Sequence, residues 1–355
     1  MQLSTLDSSQ HTQIVRYGQP VTTRPAPWPD ARPRSVENGT VTDGPPPARA
    51  SRRSLLLGSL GLLVSGPVLA GCTNPRIEGA PQTPPAPVTR EPNPQQQQIL
   101  AALQSESDLA GLTRASTPGQ ARAHEVHLLA LQAAEPQSRP TTAPTPDFRH
   151  TPPPVPAPAA GQRLAERAGQ ASAAYQQTAI ASDGQLALFW ASLAAFAAAE
   201  SARTGFEVAD APPVRPMATR AEPEVWADLV GNLNGAIYAA QTALGFLNRG
   251  DAQTARDNLA DLRDSADALT AWLRAAGKEA PTAAAVYELP STPHDAPTAL
   301  ALLASVNSGL LPHLGQWVAS AAEPRSRELA VRRLTAAGAT IARAGGSLTA
   351  WPGWV

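Results

Sequence analysis

The chain is poor in cysteine, lysine and aromatic side chains, and each shortage closes off a class of protein. A single cysteine, Cys72, rules out an intramolecular disulfide and any thiolate-rich metal site. Lys278 is the lone lysine among 28 basic residues, which face 29 acids for a net charge of −1. No basic run occurs, so no nucleic-acid-binding surface is expected. Aromatic residues make up only 5% of the chain, and alanine dominates an apolar fraction of 43%. Such a composition argues against sandwiches and barrels, whose pleated surfaces need β-branched and aromatic residues. Helices remain, and 355 residues are enough for two or three compact units.

Proline is abundant instead, with 37 residues beside 25 glycines, and its clusters divide the chain. Residues 1–50 are polar and aperiodic, and read as a disordered leader. Residues 73–94 hold seven prolines and read as an extended tether. Two further Pro-rich stretches, 136–160 and 206–221, read as a crossover and an interdomain linker.

Ser51–Cys72 reads S-R-R-S-L-L-L-G-S-L-G-L-L-V-S-G-P-V-L-A-G-C. Paired Arg52 and Arg53, an uncharged stretch and small residues before Cys72 follow the order of a signal peptide, assigned here to 51–72. A membrane-spanning helix is the competing reading. Against it, the uncharged stretch reaches only about 18 residues, the short end for a span, and contains four glycines and Pro67. The S-R-R-x-L-L pattern resembles the twin-arginine export motif, with the general secretion route as the alternative. Leu69, Ala70, Gly71 and Cys72 resemble the bacterial lipobox, which implies diacylglycerol attached to the Cys72 sulfur and cleavage before it. At about 0.8 kcal/mol per buried methylene, two or three acyl chains hold a protein on a membrane far longer than one myristoyl chain. Seven arginines and four acids precede Cys72, which leaves −4 for the rest and no polybasic supplement to the anchor.

Beyond residue 94 the apolar residues fall into helical spacing. Gln95–Ala115 and Pro118–Glu135 form one helix pair, Gln162–Ala181 and Asp183–Thr204 another, with Ser182 available as an N-cap. Trp226, Val230, Leu233, Ile237, Ala240, Leu244 and Leu247 form a seam of alternating four and three, closed by Asn248-Arg249-Gly250. Ala255, Leu259, Leu262, Ala266, Leu269 and Leu273 repeat it up to Gly277. Leu300, Leu303, Asn307, Leu310, Leu314 and Trp317 make a third seam, and Val331, Leu334, Gly338, Ile341 and Leu348 a fourth. Short turns within pairs and a connection of about twenty residues between pairs describe a four-helix bundle with one crossover. The expected fold is all-α, with two ferritin-like four-helix bundles at 95–205 and 222–355.

Asn234–Gly245 reads N-G-A-I-Y-A-A-Q-T-A-L-G, Ala283–Pro290 reads A-A-A-V-Y-E-L-P, and W-P-G closes the chain at Trp351–Gly353. On these segments the C-terminal part resembles a ferritin-like domain of unknown function found in actinobacterial lipoproteins. The resemblance implies a fold and a location, with no activity attached.

A di-iron bundle would project two Glu residues and two Glu-x-x-His pairs into its core. The second bundle has no Glu-x-x-His, and Asp257, Asp261 and Asp264 lie beside its seam rather than on it, so no metal is expected there. In the first bundle His124 and His127 are three apart on one helical face, and Glu200 extends the stripe of Leu186, Phe189, Leu193 and Phe196. His-Glu-Val-His matches neither metal motif, and Glu200 falls in a last turn with access to water, so the expectation is no metal and no cofactor. Asn307 on an apolar seam reads as a register-fixing polar residue, with ligand binding as the alternative. Tyr238, Trp272 and Trp317 read as core aromatics. The function expected is a non-catalytic interaction or ligand-binding module on the extracytoplasmic face of the cell membrane. Its partners would be the membrane, through a lipid anchor, and an unidentified protein or small apolar ligand. An atypical di-iron oxidoreductase is the alternative.

Overall fold

A computed structural model of the protein describes residues 94–114, 117–133, 157–210 and 217–354. The leader, Arg52, Arg53, the lipobox Leu69–Gly71 and Cys72 lie outside the described residues. The described part is all-α apart from two short strands. Its elements are α1 (Pro94–Arg114), α2 (Pro118–Gln132), α3 (Ala157–Ala181), α4 (Gly184–Ala202), β1 (Val208–Ala209), α5 (Glu222–Leu244), α6 (Arg249–Ala275), α7 (Ala296–Ser320), α8 (Pro324–Arg343) and β2 (Leu348–Thr349).

Helix ends follow local chemistry. Asp295 caps α7 in a reciprocal capping box with Thr298. Gly277, with φ +68°, turns the chain out of α6 while Lys278 N–H donates to the Leu273 carbonyl. Asn248 corrects the sequence reading: α5 already ends at Leu244, and the Asn248 side chain accepts from the Gly250 and Asp251 amides, so it opens α6 rather than closing α5. Ser182 likewise does not cap α4. Its hydroxyl donates back to the Thr178 carbonyl within α3 at 2.7 Å. Helix α3 starts at Ala157, inside the expected crossover, because Pro158 falls in its first turn where a missing N–H breaks no helical bond.

Helices α5, α6, α8 and α7 pack in a ring, each against the next. Helix α4 packs on α3, on α8 and on α7, while α1 packs on α2 and α3. One continuous apolar core therefore runs from Ala102 on α1 to Trp354. The described start of the stretch expected to separate two bundles, residues 206–210, is instead held to the fold. Phe206 is buried against Phe196, and β1 pairs in parallel with β2, Val208 opposite Leu348. Leu348 thus belongs to a strand and not to the fourth seam's helix.

Helix α4 is buried nearly all round from Ala187 to Glu200, which explains why its sequence is apolar on every face. By length and composition it would pass for a membrane span, yet it is the inner helix of this core. Gly338 lets α8 lie against it: a Cβ there would stand 2.7 Å from the Ala195 carbonyl oxygen. On α5 the buried residues are Val225, Leu229, Val230, Leu233, Ala236, Ala239, Ala240 and Ala243, which include Val230, Leu233 and Ala240 of the predicted seam. Small alanines take the closest approach, and Trp226, Ile237 and Leu244 flank it, half-buried.

Candidate functional site

Four helices deliver ionisable side chains to one dry point. Glu106 comes from α1, His124 and His127 from α2, Tyr175 from α3 and Glu200 from α4; none is more than 3% exposed. The histidines occupy one face of α2, as their spacing predicts. Glu200 departs from expectation: it has no access to water, because α2 lays His124 directly over the last turn of α4.

The hydrogen-bond pattern fixes the protons. His127 Nε2 stands 2.7 Å from the Ala350 carbonyl oxygen, which only accepts, so Nε2 donates. His127 Nδ1 lies 2.9 Å and His124 Nδ1 2.7 Å from the same atom, Glu106 Oε2. His124 Nε2 stands 3.0 Å from both oxygens of Glu200, and the Tyr175 hydroxyl donates to Glu106 Oε1 at 2.8 Å. Each contact between a ring nitrogen and an oxygen needs one hydrogen. The two carboxylates and two imidazoles therefore share four protons and carry no net charge.

The electrostatics agree. Burial would lower the His124 pKa, but the Glu200 and Glu106 carboxylates prevail and push it up to about 10. Burial would raise Glu106, and the adjoining His127 and His124 hold it well below the usual carboxylate range. Tyr175 is raised well above its ordinary value, by burial first and by the Glu106 charge second.

The segment around Trp351–Gly353 closes this cluster. Trp351 stacks edge-on against His127 with ring centres 4.8 Å apart, and Phe196 covers the other side at 5.0 Å. The closing segment is held down where Gly353 meets Gly315, at which a Cβ would fall 1.8 Å from the Gly353 carbonyl oxygen.

Sequence reasoning found His124, His127 and Glu200 and missed Glu106 and Tyr175. A signal exists for both. Glu106 interrupts the buried stripe Ala102, Leu103, Leu109, Ala110 and Thr113 at helical spacing, and Tyr175 sits in Leu164, Ala168, Ala171 and Ala179.

A second buried polar group surrounds Asn307. Its Nδ2 donates to the Leu303 carbonyl at 2.9 Å, and its Oδ1 accepts from Arg333 Nη2 at 3.0 Å, as Asn258 Oδ1 does at 3.2 Å. Asn307 thus holds an arginine that the apolar pattern of α8 concealed. Among the described residues Arg333 has no carboxylate within bonding distance, and its Nε and Nη1 have no partner. Burial lowers its pKa to about 10, opposed by Asp261. Asp257, Asp261 and Asp264 are exposed, as expected, along a cleft that Arg333 also lines.

A third feature is a cleft of about 640 Å³ between the C-terminal end of α6 and the starts of α5 and α8, lined by Trp226, Trp272, Pro324 and Ser326 with Glu323 and Arg325 among its polar residues. Trp226 and Trp272 stand 5.5 Å apart, both half-buried, and the Trp226 indole N–H has no partner. Trp272 therefore lines a cleft as well as the core, whereas Trp317 is fully buried and donates to Ser326 Oγ at 2.9 Å.

Comparison with known families matches residues 227–355 to the model of a domain of unknown function, DUF4439. Among solved structures, the crystal structure of a conserved hypothetical protein, rv2844, from Mycobacterium tuberculosis is similar. It is 24% identical, spans 35% of this chain and 93% of its own, and superposes with a TM-score of 0.32. No curated protein matches. The matched region begins within α5, just past Trp226, and runs through α8 and β2, so it takes in Trp272 but not Trp226 of the cleft, whereas the Glu106 cluster is built from side chains upstream of it and touches it through Ala350 and Trp351.

Proposed function

We propose that the chain is an extracytoplasmic lipoprotein of the actinobacterial type its sequence resembles, tethered through Cys72 and carrying a non-catalytic ligand-binding module of ferritin-like helical bundles. The anchor reading rests on Arg52, Arg53 and the Leu69–Cys72 segment, followed by a Pro-rich tether that ends where α1 begins. The binding reading rests on the Trp226–Trp272 cleft, which offers two indole faces beside a buried indole N–H left unpaired. A small molecule with a flat apolar face and one acceptor suits it, because an unpaired buried donor costs about 1–3 kcal/mol until it finds a partner.

One experiment tests both halves. In intact cells, radiolabelled palmitate enters the wild type and not Cys72→Ala, and native mass spectrometry of the extracted protein shows a small adduct that Trp272→Ala loses. A wild type that stays unlabelled in the soluble fraction overturns the anchor; an adduct indifferent to Trp272 overturns the cleft.

A second reading, an atypical di-iron oxidoreductase, is favoured by the burial of Glu106, Glu200, His124 and His127 together. A dinuclear carboxylate centre uses about four carboxylates with two histidines, and among the described residues this cluster gathers two. Two irons per chain in the purified protein would support that reading.

A further inference from the structure

We propose that Glu106, His124 and His127 form a mononuclear site for a divalent first-row transition metal, with Glu200 and the Ala350 carbonyl as its outer supports. One Glu106 oxygen and one nitrogen from each imidazole lie within 4.8 Å of one another. Both histidines turn Nδ1 toward that oxygen and commit Nε2 elsewhere, His124 to a carboxylate and His127 to a backbone carbonyl. That is the arrangement by which metal-ligating imidazoles are oriented and kept basic. Two imidazoles with one carboxylate suit Zn²⁺, Fe²⁺, Mn²⁺ or Co²⁺, whereas Ca²⁺ and Mg²⁺ prefer all-oxygen sites.

Charge and protons balance. A divalent cation displaces the two hydrogens between Nδ1 and Glu106 Oε2, and the two Nε2–H hydrogens stay. Two protons leave, two positive charges arrive, and the buried cluster remains neutral. Tetrahedral bonds of about 2.0–2.2 Å would require the 2.7 and 2.9 Å contacts to open by roughly half an ångström or slightly more. A plain buried ion cluster explains the same contacts less well as a source of stability, since desolvation of buried ions commonly outweighs their attraction.

The test uses the full-length protein after removal of metal by a chelator. Titration with Co²⁺, repeated in two buffers of different protonation enthalpy, gives one metal per chain with close to two protons released at neutral pH. Glu106→Gln and His127→Gln abolish stoichiometric binding, and Glu200→Gln weakens it about 10- to 100-fold without changing the stoichiometry. Wild-type protein that binds no Co²⁺, Zn²⁺ or Mn²⁺ at tenfold excess overturns the proposal, as does a folded Glu106→Gln that retains wild-type affinity. Should these variants fail to fold, the wild type alone decides. Loaded with Cu²⁺, it shows pulsed-EPR coupling to two imidazoles, and a spectrum without imidazole nitrogen overturns the site.

Discussion

The Glu106 and Arg333 clusters bury ionisable groups equally deeply and solve the problem in opposite ways. Around Glu106, opposite charges face each other and each contact with a ring nitrogen holds one hydrogen. Around Arg333, a guanidinium meets two neutral amide oxygens and keeps two nitrogens unpaired. The first is a matched set in which every member depends on the others. The second is a single charge, made tolerable by Asp261 across the cleft, whose removal leaves two neutral amide oxygens without a donor but strands no opposite charge. What distinguishes them is whether a deletion strands a charge.

The largest effect is expected at the centre of the matched set. His124→Leu leaves the Glu200 carboxylate buried without its partner and should lower stability by about 3–5 kcal/mol, read by urea denaturation of metal-free protein. Its pH dependence sharpens the comparison. The folded pKa of His124 stands above its ordinary 6.5, so its contribution is complete below about 6.5 and is lost as pH rises through about 10. Wild-type stability should therefore fall across that alkaline window, and His124→Leu should remove that part of the fall. If the variant shows the same slope, the charge pairing is wrong. Gly315→Ala comes next. Its Cβ collides with the Gly353 backbone, which must lift, and a loss of about 1–3 kcal/mol is expected together with faster hydrogen exchange at Thr349 and Ala350. Smallest is Arg333→Met, which removes the charge and two unpaired donors but also takes the donor from the buried Asn258 and Asn307 oxygens, and should cost about 1 kcal/mol in the same assay. A loss as large as that of His124→Leu would erase the distinction between the two clusters.

Helices were far easier to read than the site, for a physical reason. Local spacing sets a helix, and α1, α2, α4 and α7 begin and end within a few residues of the periodicity and its breakers. The A-A-A-V-Y-E-L-P and N-G-A-I-Y segments are legible as one contact after the fact, since Gly235 leaves room for Tyr287, whose ring stands 5.8 Å from Tyr238. The site joins partners far apart in sequence, such as His124 and Glu200, 76 residues apart, and no period reports such distances. Asn307 is visible as a polar interruption, but nothing in the spacing of α8 marks its partner Arg333. The predicted seam of α5 holds at Val230, Leu233 and Ala240, while Trp226, Ile237 and Leu244 lie half-buried beside it, because large side chains mark a face while alanines decide how near two helices come.

The hydrogen bond from His127 to Ala350 spans 223 residues. The segment that carries Ala350 and Trp351 lies over imidazoles and carboxylates supplied by helices far upstream in the chain. Sealing thus depends on one contact of very high sequence separation, and a local opening of the C-terminal segment would admit protons or ions to the cluster without unfolding the helices that carry it.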